Sequence, residues 1–251
     1  MQPRILVVDY GLGNLGSVMK GFRQVGAEVG LSRDPAELLA ADALVLPGDG
    51  AFGATMDEIR GRGLVDVLLE SARAGTPLLG ICIGMQVLFE ESEEHGRHAG
   101  LGLLPGRVRR FFGEPPEGSG AQPRSGASPR GPSAGIHFRR EPPEAQDLPV
   151  PHMGWNRLWR RQEHALLEGL PDGAHVYFVH SYFCDAPAEV VVATAQYGRE
   201  FAAIVGRGNV LGMQFHPEKS QAVGLRLIEN FVLDVAARAG RRSSALAGRS
   251  A

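Results

Sequence analysis

The sequence predicts an α/β sandwich around a mainly parallel sheet with an antiparallel portion, and three observations predict it. Short apolar runs alternate with segments of helical period in the N-terminal part of the chain. Later runs, Val190 to Tyr197, Ala202 to Gly206 and Val210 to Gln214, follow one another through turns too short for crossover helices. A chain of 251 residues with 43% apolar residues can bury one sizeable core, which we read as one domain over residues 1–239.

The elements follow in order. Arg4 to Val8 is a β-branched run suited to a buried strand. After it Leu15, Val18, Met19, Phe22 and Val25 recur at spacings of three and four until Gly26 stops the pattern. Glu28 to Ser32 reads as a strand. Asp34-Pro35-Ala36-Glu37 has a cap, a first-turn proline and a third-position glutamate, the signature of a helix start. Ala43 to Leu46 is a third strand, Leu64 to Ala74 an amphipathic helix, Leu78 to Ile81 a buried strand, and Met85 to Glu91 resumes helical spacing. Val176 to Phe183 precedes the three later strands, and Ser220 to Ala237 closes the fold as a helix. Gly113 to Leu148, dense in Pro, Gly, Ser and Arg, is expected to be a flexible insert, and residues 240–251 a disordered tail.

Composition excludes some partners. A net charge of −2 offers no basic field for nucleic acid. The first apolar run ends at Asp9 without a signal-peptide pattern, and no run is long enough to span a bilayer. Cys82 and Cys184 form neither a CxxC pair nor a disulfide framework, so a reducing compartment, the cytoplasm, is expected. Lysine occurs only at positions 20 and 219 in an arginine-rich chain, which makes Lys219 informative.

The chemistry concentrates at two points. Gly80-Ile81-Cys82-Ile83-Gly84 lies between a strand and a helix, the context of a nucleophile elbow. Small neighbours let chain pass a strained turn, and a helix N-terminus favours thiolate. A buried cysteine filling space as a small hydrophobe would read the same locally. Gln214-Phe215-His216-Pro217-Glu218-Lys219 supplies the missing partners: proline keeps His216 extended, and residues two apart then face one side. Glu218 can therefore hold one ring nitrogen of His216 and leave the other for the thiol. Pro47 to Gly53 is glycine-rich after a strand, as a backbone oxyanion hole requires, although an ordinary turn has the same composition.

Gly11-Leu12-Gly13-Asn14-Leu15-Gly16 also fits a dinucleotide fingerprint, with Asp34 as the ribose carboxylate. Against it, Asp9 and Tyr10 precede the first glycine, Asp34 is engaged as a helix cap, and Cys82, His216 and Glu218 are left without work. A scaffold with an idle triad is a third possibility.

Asp9 to Leu15, Pro47 to Phe52, Gly80 to Gln86, Pro151-His152-Met153-Gly154-Trp155-Asn156, Val179 to Tyr182 and His216 to Ser220 closely resemble, in order, the glutaminase subunits of imidazole glycerol phosphate synthases, a branch of the class I glutamine amidotransferases. The resemblance runs from about Arg4 to Leu233 outside the insert. It implies a Rossmann-like glutaminase with Cys82 as nucleophile, His216 as acid and base, and Glu218 as orienting carboxylate. It implies that Gly50 and Gln86 contact glutamine, that Glu94 binds substrate, and that Ser181 and Tyr182 line the pocket. It further implies a heterodimer with a (β/α)8-barrel cyclase, with Asn14, Trp155 and Lys219 on the facing side, and neither metal nor organic cofactor. His180 is expected to be a packed, hydrogen-bonded histidine and not a second base. Two departures stand out: the long insert, and Asp49 where the family commonly carries an uncharged residue such as valine. A carboxylate aimed at a developing oxyanion would oppose the reaction, so Asp49 is expected to point away or meet a cation.

Overall fold

The structure, a computed structural model, describes residues 2–112 and 148–247. All but the last residue of the insert, and the last four residues of the tail, lie outside the described residues. The first half alternates as expected: Ile5–Val8 (β1), Leu15–Gln24 (α1), Val29–Ser32 (β2), Pro35–Leu39 (α2), Ala43–Leu46 (β3), Phe52–Gly61 (α3), Leu64–Arg73 (α4), Leu78–Ile81 (β4) and Ile83–Gln86 (α5). Short strands follow at Glu91–Ser92 (β5), His98–Ala99 (β6) and Arg107–Arg110 (β7). After the insert come His152–Arg157 (β8), Trp159–Arg160 (β9), His175–His180 (β10), Tyr182–Asp185 (β11), Val191–Tyr197 (β12), Arg199–Arg207 (β13), Val210–Met213 (β14) and Gln221–Ala247 (α6).

The main sheet has the order β2-β1-β3-β4-β14-β13-β12-β9. Pairing is parallel from β2 to β14 and antiparallel beyond it. Every residue of β1, β3, β4 and β14 is buried, which explains why they read as unbroken apolar runs: helices cover both faces. On one side α1 packs on α6, with Phe22 and Phe231 edge to face at 6.2 Å. On the other, α4 packs against both α2 and α3. Asp34 caps α2, its carboxylate accepting the Glu37 N–H at 3.0 Å, and Pro35 opens that helix. No helix among the described residues is long and apolar enough to cross a membrane.

Three local expectations are corrected, and one helix, α3, has no counterpart in the sequence reading. The helix expected at Met85 to Glu91 is the single turn Ile83–Gln86, because the Val87, Leu88 and Phe89 carbonyls accept from Leu101, Leu103 and Gly102 instead of continuing a helix. Its macrodipole is correspondingly small and does not carry the thiolate argument. The run Val176 to Phe183 breaks at Ser181. Its first half pairs with β8 in a two-stranded ribbon, and its second joins a four-stranded sheet of order β11-β7-β5-β6, so neither enters the main sheet. The closing helix continues past Gly240 to Ala247, since the glycine sits in a stretch of strong helix formers and meets no neighbour that would stop it. Finally, α3 was not foreseen; its cap residue Ala51 has no side-chain hydrogen bond, and Glu94 supplies the acceptor for the Phe52 N–H from 42 positions away at 2.6 Å.

Two glycines separate packing from propensity. A Cβ on Gly84 would lie 1.7 Å from the Leu46 carbonyl oxygen, whereas one on Gly61, at the end of α3, would meet nothing within 4 Å. Thermal denaturation should therefore show Gly84→Ala losing several degrees or failing to fold, and Gly61→Ala gaining up to about 1 kcal/mol.

Candidate active site

The loops that leave the carboxyl edge of β1, β3, β4 and β14, four neighbouring parallel strands, each carry one of the motifs. Cys82 sits directly after β4 with φ 54°, left-handed for a non-glycine residue, and its N–H donates to the Met213 carbonyl at 2.8 Å. Such a conformation costs about 1–3 kcal/mol and persists only where the surroundings enforce it. The flanking glycines do so by close approach: a Cβ on Gly80 would lie 2.4 Å from the Gly84 oxygen.

His216 lies just beyond β14 in extended conformation and is 3% exposed. Its Nδ1–H donates to Glu218 Oε1 at 2.9 Å, and the Glu218 side chain is 2% exposed. The other ring nitrogen, Nε2, is buried without an ordinary hydrogen-bond partner among the described residues. Burial alone would lower the His216 pKa; interaction with the Cys82 side chain and with Glu218 outweighs it and raises the value to about 10. The three groups thus favour an imidazolium held between a sulfur and a carboxylate. Backbone bonds fix the ring further: the His216 N–H donates to the Tyr177 carbonyl at 3.0 Å. The Ser220 hydroxyl donates to the His216 carbonyl at 2.6 Å and accepts the Tyr177 N–H at 2.9 Å.

The glycine turn of Pro47 to Gly50 stands beside this array. A Cβ on Gly48 would lie 2.6 Å from the Gly84 nitrogen, so the turn lies against the elbow, and Gly50 has φ 93° and is exposed. The buried Tyr10 hydroxyl donates to the Pro47 carbonyl and ties the turn to the loop after β1. Asp49 is half-buried, and its charge helps burial to raise the Tyr10 pKa. Glu94 is buried, and burial raises its pKa against the opposing effect of the Phe52 N–H bond. It therefore anchors α3 two residues past Gly50. Tyr182, also buried, lies close enough to Glu94 for that charge to add to burial in raising its pKa. Gln86 is fully buried, donating from Nε2 to the Tyr182 carbonyl and to Gln214 Oε1, both at 3.1 Å. Ser181 is half-buried at the break between β10 and β11.

The residues expected to face a partner lie on elements that adjoin the site. Asn14 is exposed and caps α1, its side chain accepting from the Ser17 N–H at 3.2 Å; Lys219 is exposed on a turn that packs on α1 and β10. Trp155, 47% exposed on β8, stands opposite Tyr177 on β10. Sequence reasoning did not single out Tyr10, Gln214 or Ser220, whose side chains brace the site. All three lie inside or beside the motifs it singled out, but nothing local shows that their partners are Pro47, Cys82 and Tyr177. Among the described residues no group of three or more His, Cys, Asp or Glu side chains is placed to hold a metal ion.

A family model described as glutamine amidotransferase class-I matches residues 6–235. The imidazole glycerol phosphate synthase subunit HisH of Syntrophotalea carbinolica is 46% identical over 228 residues, 90% of this chain and 98% of that protein. HisH of Methanosarcina barkeri is 44% identical over 91% of this chain and 98% of that protein. The chain belongs to the class-I glutamine amidotransferases, in the HisH branch. Solved structures share the fold. A glutamine amidotransferase structure gives a TM-score of 0.63 at 21% identity over 93% of this chain and 98% of that one. PurLQS from Thermotoga maritima gives 0.62 at 19% identity over 93% and 99%.

In this amidotransferase the dinucleotide fingerprint is otherwise occupied. The Arg62 guanidinium covers Gly11, a Cβ there lying 2.4 Å from one of its nitrogens, and Asp34 caps α2. His180 is a buried, hydrogen-bonded residue of β10, as its strand context suggested.

Burial lowers the pKa of His152 to about 4 and of His180 to about 3, so both rings stay neutral in the fold. Below about pH 6.5 the unfolded chain binds protons that the folded one refuses, so stability is lost as pH falls from there through the folded values. His216, whose folded value is raised, acts in the opposite sense as pH rises above about 6.5, so the effect is read by variant: in urea titrations at pH 7.5 and 5.0, His152→Gln should lose less stability than wild type on going to pH 5.0. Asp49→Val should preserve or raise glutaminase turnover; a loss beyond about tenfold would mean that the carboxylate assists the reaction.

Proposed function

We propose that this chain is the glutaminase subunit of an imidazole glycerol phosphate synthase, releasing ammonia from glutamine for a cyclase subunit in histidine biosynthesis. The observation that carries the reading is the buried Cys82–His216–Glu218 array at the carboxyl edge of the parallel sheet, in a chain matching HisH proteins over nearly their whole length. In this reading the Cys82 thiolate attacks the side-chain amide carbon of glutamine. The imidazolium of His216 then protonates the departing nitrogen as the tetrahedral intermediate collapses to a thioester and ammonia. Water, deprotonated by His216, attacks the thioester; the sulfur leaves as thiolate and glutamate is released. Glu218 holds the ring tautomer and stabilises its charged form. Backbone N–H groups of the Gly48 to Gly50 turn stabilise the oxyanion. Gln86, Ser181 and Tyr182 line the glutamine site, and Glu94 supports it by fixing the start of α3.

The partner in this reading is a (β/α)8-barrel cyclase in a heterodimer. Supporting it, the β8–β10 ribbon exposes Met153 and Trp155 while holding half-buried Tyr177 and Val179 beside them. The same ribbon reaches the site from behind, through the Tyr177 bonds to His216 and Ser220 and a 3.9 Å contact from Cys82 Sγ to the Val179 carbonyl. Docking there, with Asn14 and Lys219 at the margins, would place the ammonia exit against the cyclase. Two free, buried cysteines suit a cytoplasmic setting.

Glutamate release should be measured with and without a cognate cyclase and its nucleotide ligand. Wild type should be active with the cyclase, Cys82→Ser should fall to background, and Glu218→Gln should lose about 10²–10⁴-fold in kcat. Wild-type inactivity under every condition would sink the reading. Trp155→Ala should weaken cyclase binding tenfold or more by calorimetry.

A further inference from the structure

Gln214 lies between β14 and His216, is fully buried, and has no place in the mechanism above. Its neighbours determine which way its amide faces. The Tyr182 carbonyl can only accept, and Gln86 Nε2 donates to it at 3.1 Å. The same amino group donates at 3.1 Å to Gln214 Oε1, which leaves the Gln214 amino group on the opposite side, 4.0 Å from Cys82 Sγ. Nitrogen-to-sulfur contacts are long, and this one is loose for a neutral thiol; a negative charge on sulfur would tighten it.

The Tyr182 carbonyl is held from its other side by a second chain. His180 Nδ1 donates to it at 2.8 Å, so the neutral ring has a bare Nε2, which accepts from His152 Nδ1 at 3.0 Å. His152 Nε2 in turn accepts from Asn156 Nδ2 at 3.3 Å, while the other Asn156 amide hydrogen goes to the Gln196 carbonyl at 2.8 Å. Every donor in this chain has one acceptor and every tautomer is determined. Aromatic rings wall it in: Tyr197 stacks on His152 at 4.0 Å, and Phe111 meets His180 at 5.0 Å.

We propose that Gln214 is a fixed hydrogen-bond donor to the Cys82 sulfur, stabilising the thiolate before attack and as it leaves the thioester. His180 and His152 act as positioning residues that hold the Tyr182 carbonyl, and through Gln86 the Gln214 amide, from the strand next to exposed Trp155. The role deepens the glutaminase reading and rests on Cys82 being the nucleophile. It uses no group beyond those present and moves no proton of its own.

The test follows the rate of Cys82 alkylation by iodoacetamide against pH in the full chain, read from the mass of the Cys82 peptide. His216, Tyr10 and Cys184 each interact electrostatically with Cys82, and all are retained in the variants. Gln214→Met keeps the volume and removes the donor; it should raise the alkylation midpoint by about one pH unit. With the cyclase present, kcat should fall about tenfold while the KM for glutamine changes less than about twofold. Gln214→Glu, a second variant of similar size, should raise the midpoint further by placing a negative charge at the sulfur. His180→Leu should shift it in the same direction. His180→Asn retains a donor where Nδ1 stood and should restore most of the wild-type midpoint. An unchanged midpoint in folded Gln214 variants would overturn the donor role, and equal midpoints in the two His180 variants would overturn the positioning chain. Alkylation needs neither glutamine nor cyclase, so expected midpoints with no glutamate release would instead count against the glutaminase reading.

Discussion

The last rung of the parallel ladder between β4 and β14, the hydrogen bond from the Cys82 N–H to the Met213 carbonyl, is the contact on which the site depends. It ends the two strands at one level. The residue after β4 then stands beside Gln214, and His216 follows two positions on. A slip of one residue in this ladder would turn every side chain of β14 to the opposite face. The register is secured by fit: Gly80 and Gly212 pair across the two strands, and a Cβ would lie 2.4 Å from the Gly84 oxygen at the first and 2.6 Å from Met85 Cγ at the second.

That rung also explains the glycines. Turning the chain sharply after β4 brings Gly84 back against Leu46 and Gly80, so the ends of β3 and β4 and the first turn of α5 meet within van der Waals distance. No side chain fits between them. The left-handed backbone at Cys82 is the local consequence, and the surrounding close packing offsets its cost. The glycine turn after β3 is tethered from both directions, by Gly48 against the elbow and by the Tyr10 hydroxyl on Pro47.

The ribbon of β8 and β10 gives the site its second support. It stands outside the main sheet, yet it bonds the backbone of His216, approaches the Cys82 sulfur through Val179, and carries the histidines that hold the Tyr182 carbonyl. Its inner face is an aromatic and imidazole cluster with determined hydrogen bonds, and its outer face presents Met153 and Trp155. In the proposed complex this two-faced element would connect a partner docked outside to the geometry inside, because the buried polar chain has one satisfied arrangement.

The sequence by itself determined the parallel half of the fold and the pairing of His216 with Glu218. Buried parallel strands are continuous apolar runs, the Asp34 cap is a local signal, and His216 and Glu218 are two residues apart in an extended segment, so each could be read from neighbours in the chain. Tertiary structure decided what depends on distant partners. Phe52 opens a helix because Glu94 reaches it, the helix after Cys82 stops because Leu101, Leu103 and Gly102 take its carbonyls, and Ser181 divides one apolar run between two sheets. The direction of the Gln214 amide belongs to the same class. It follows from hydrogen-bond partners at positions 86 and 182, and period and composition hold no record of contacts so far apart in the chain.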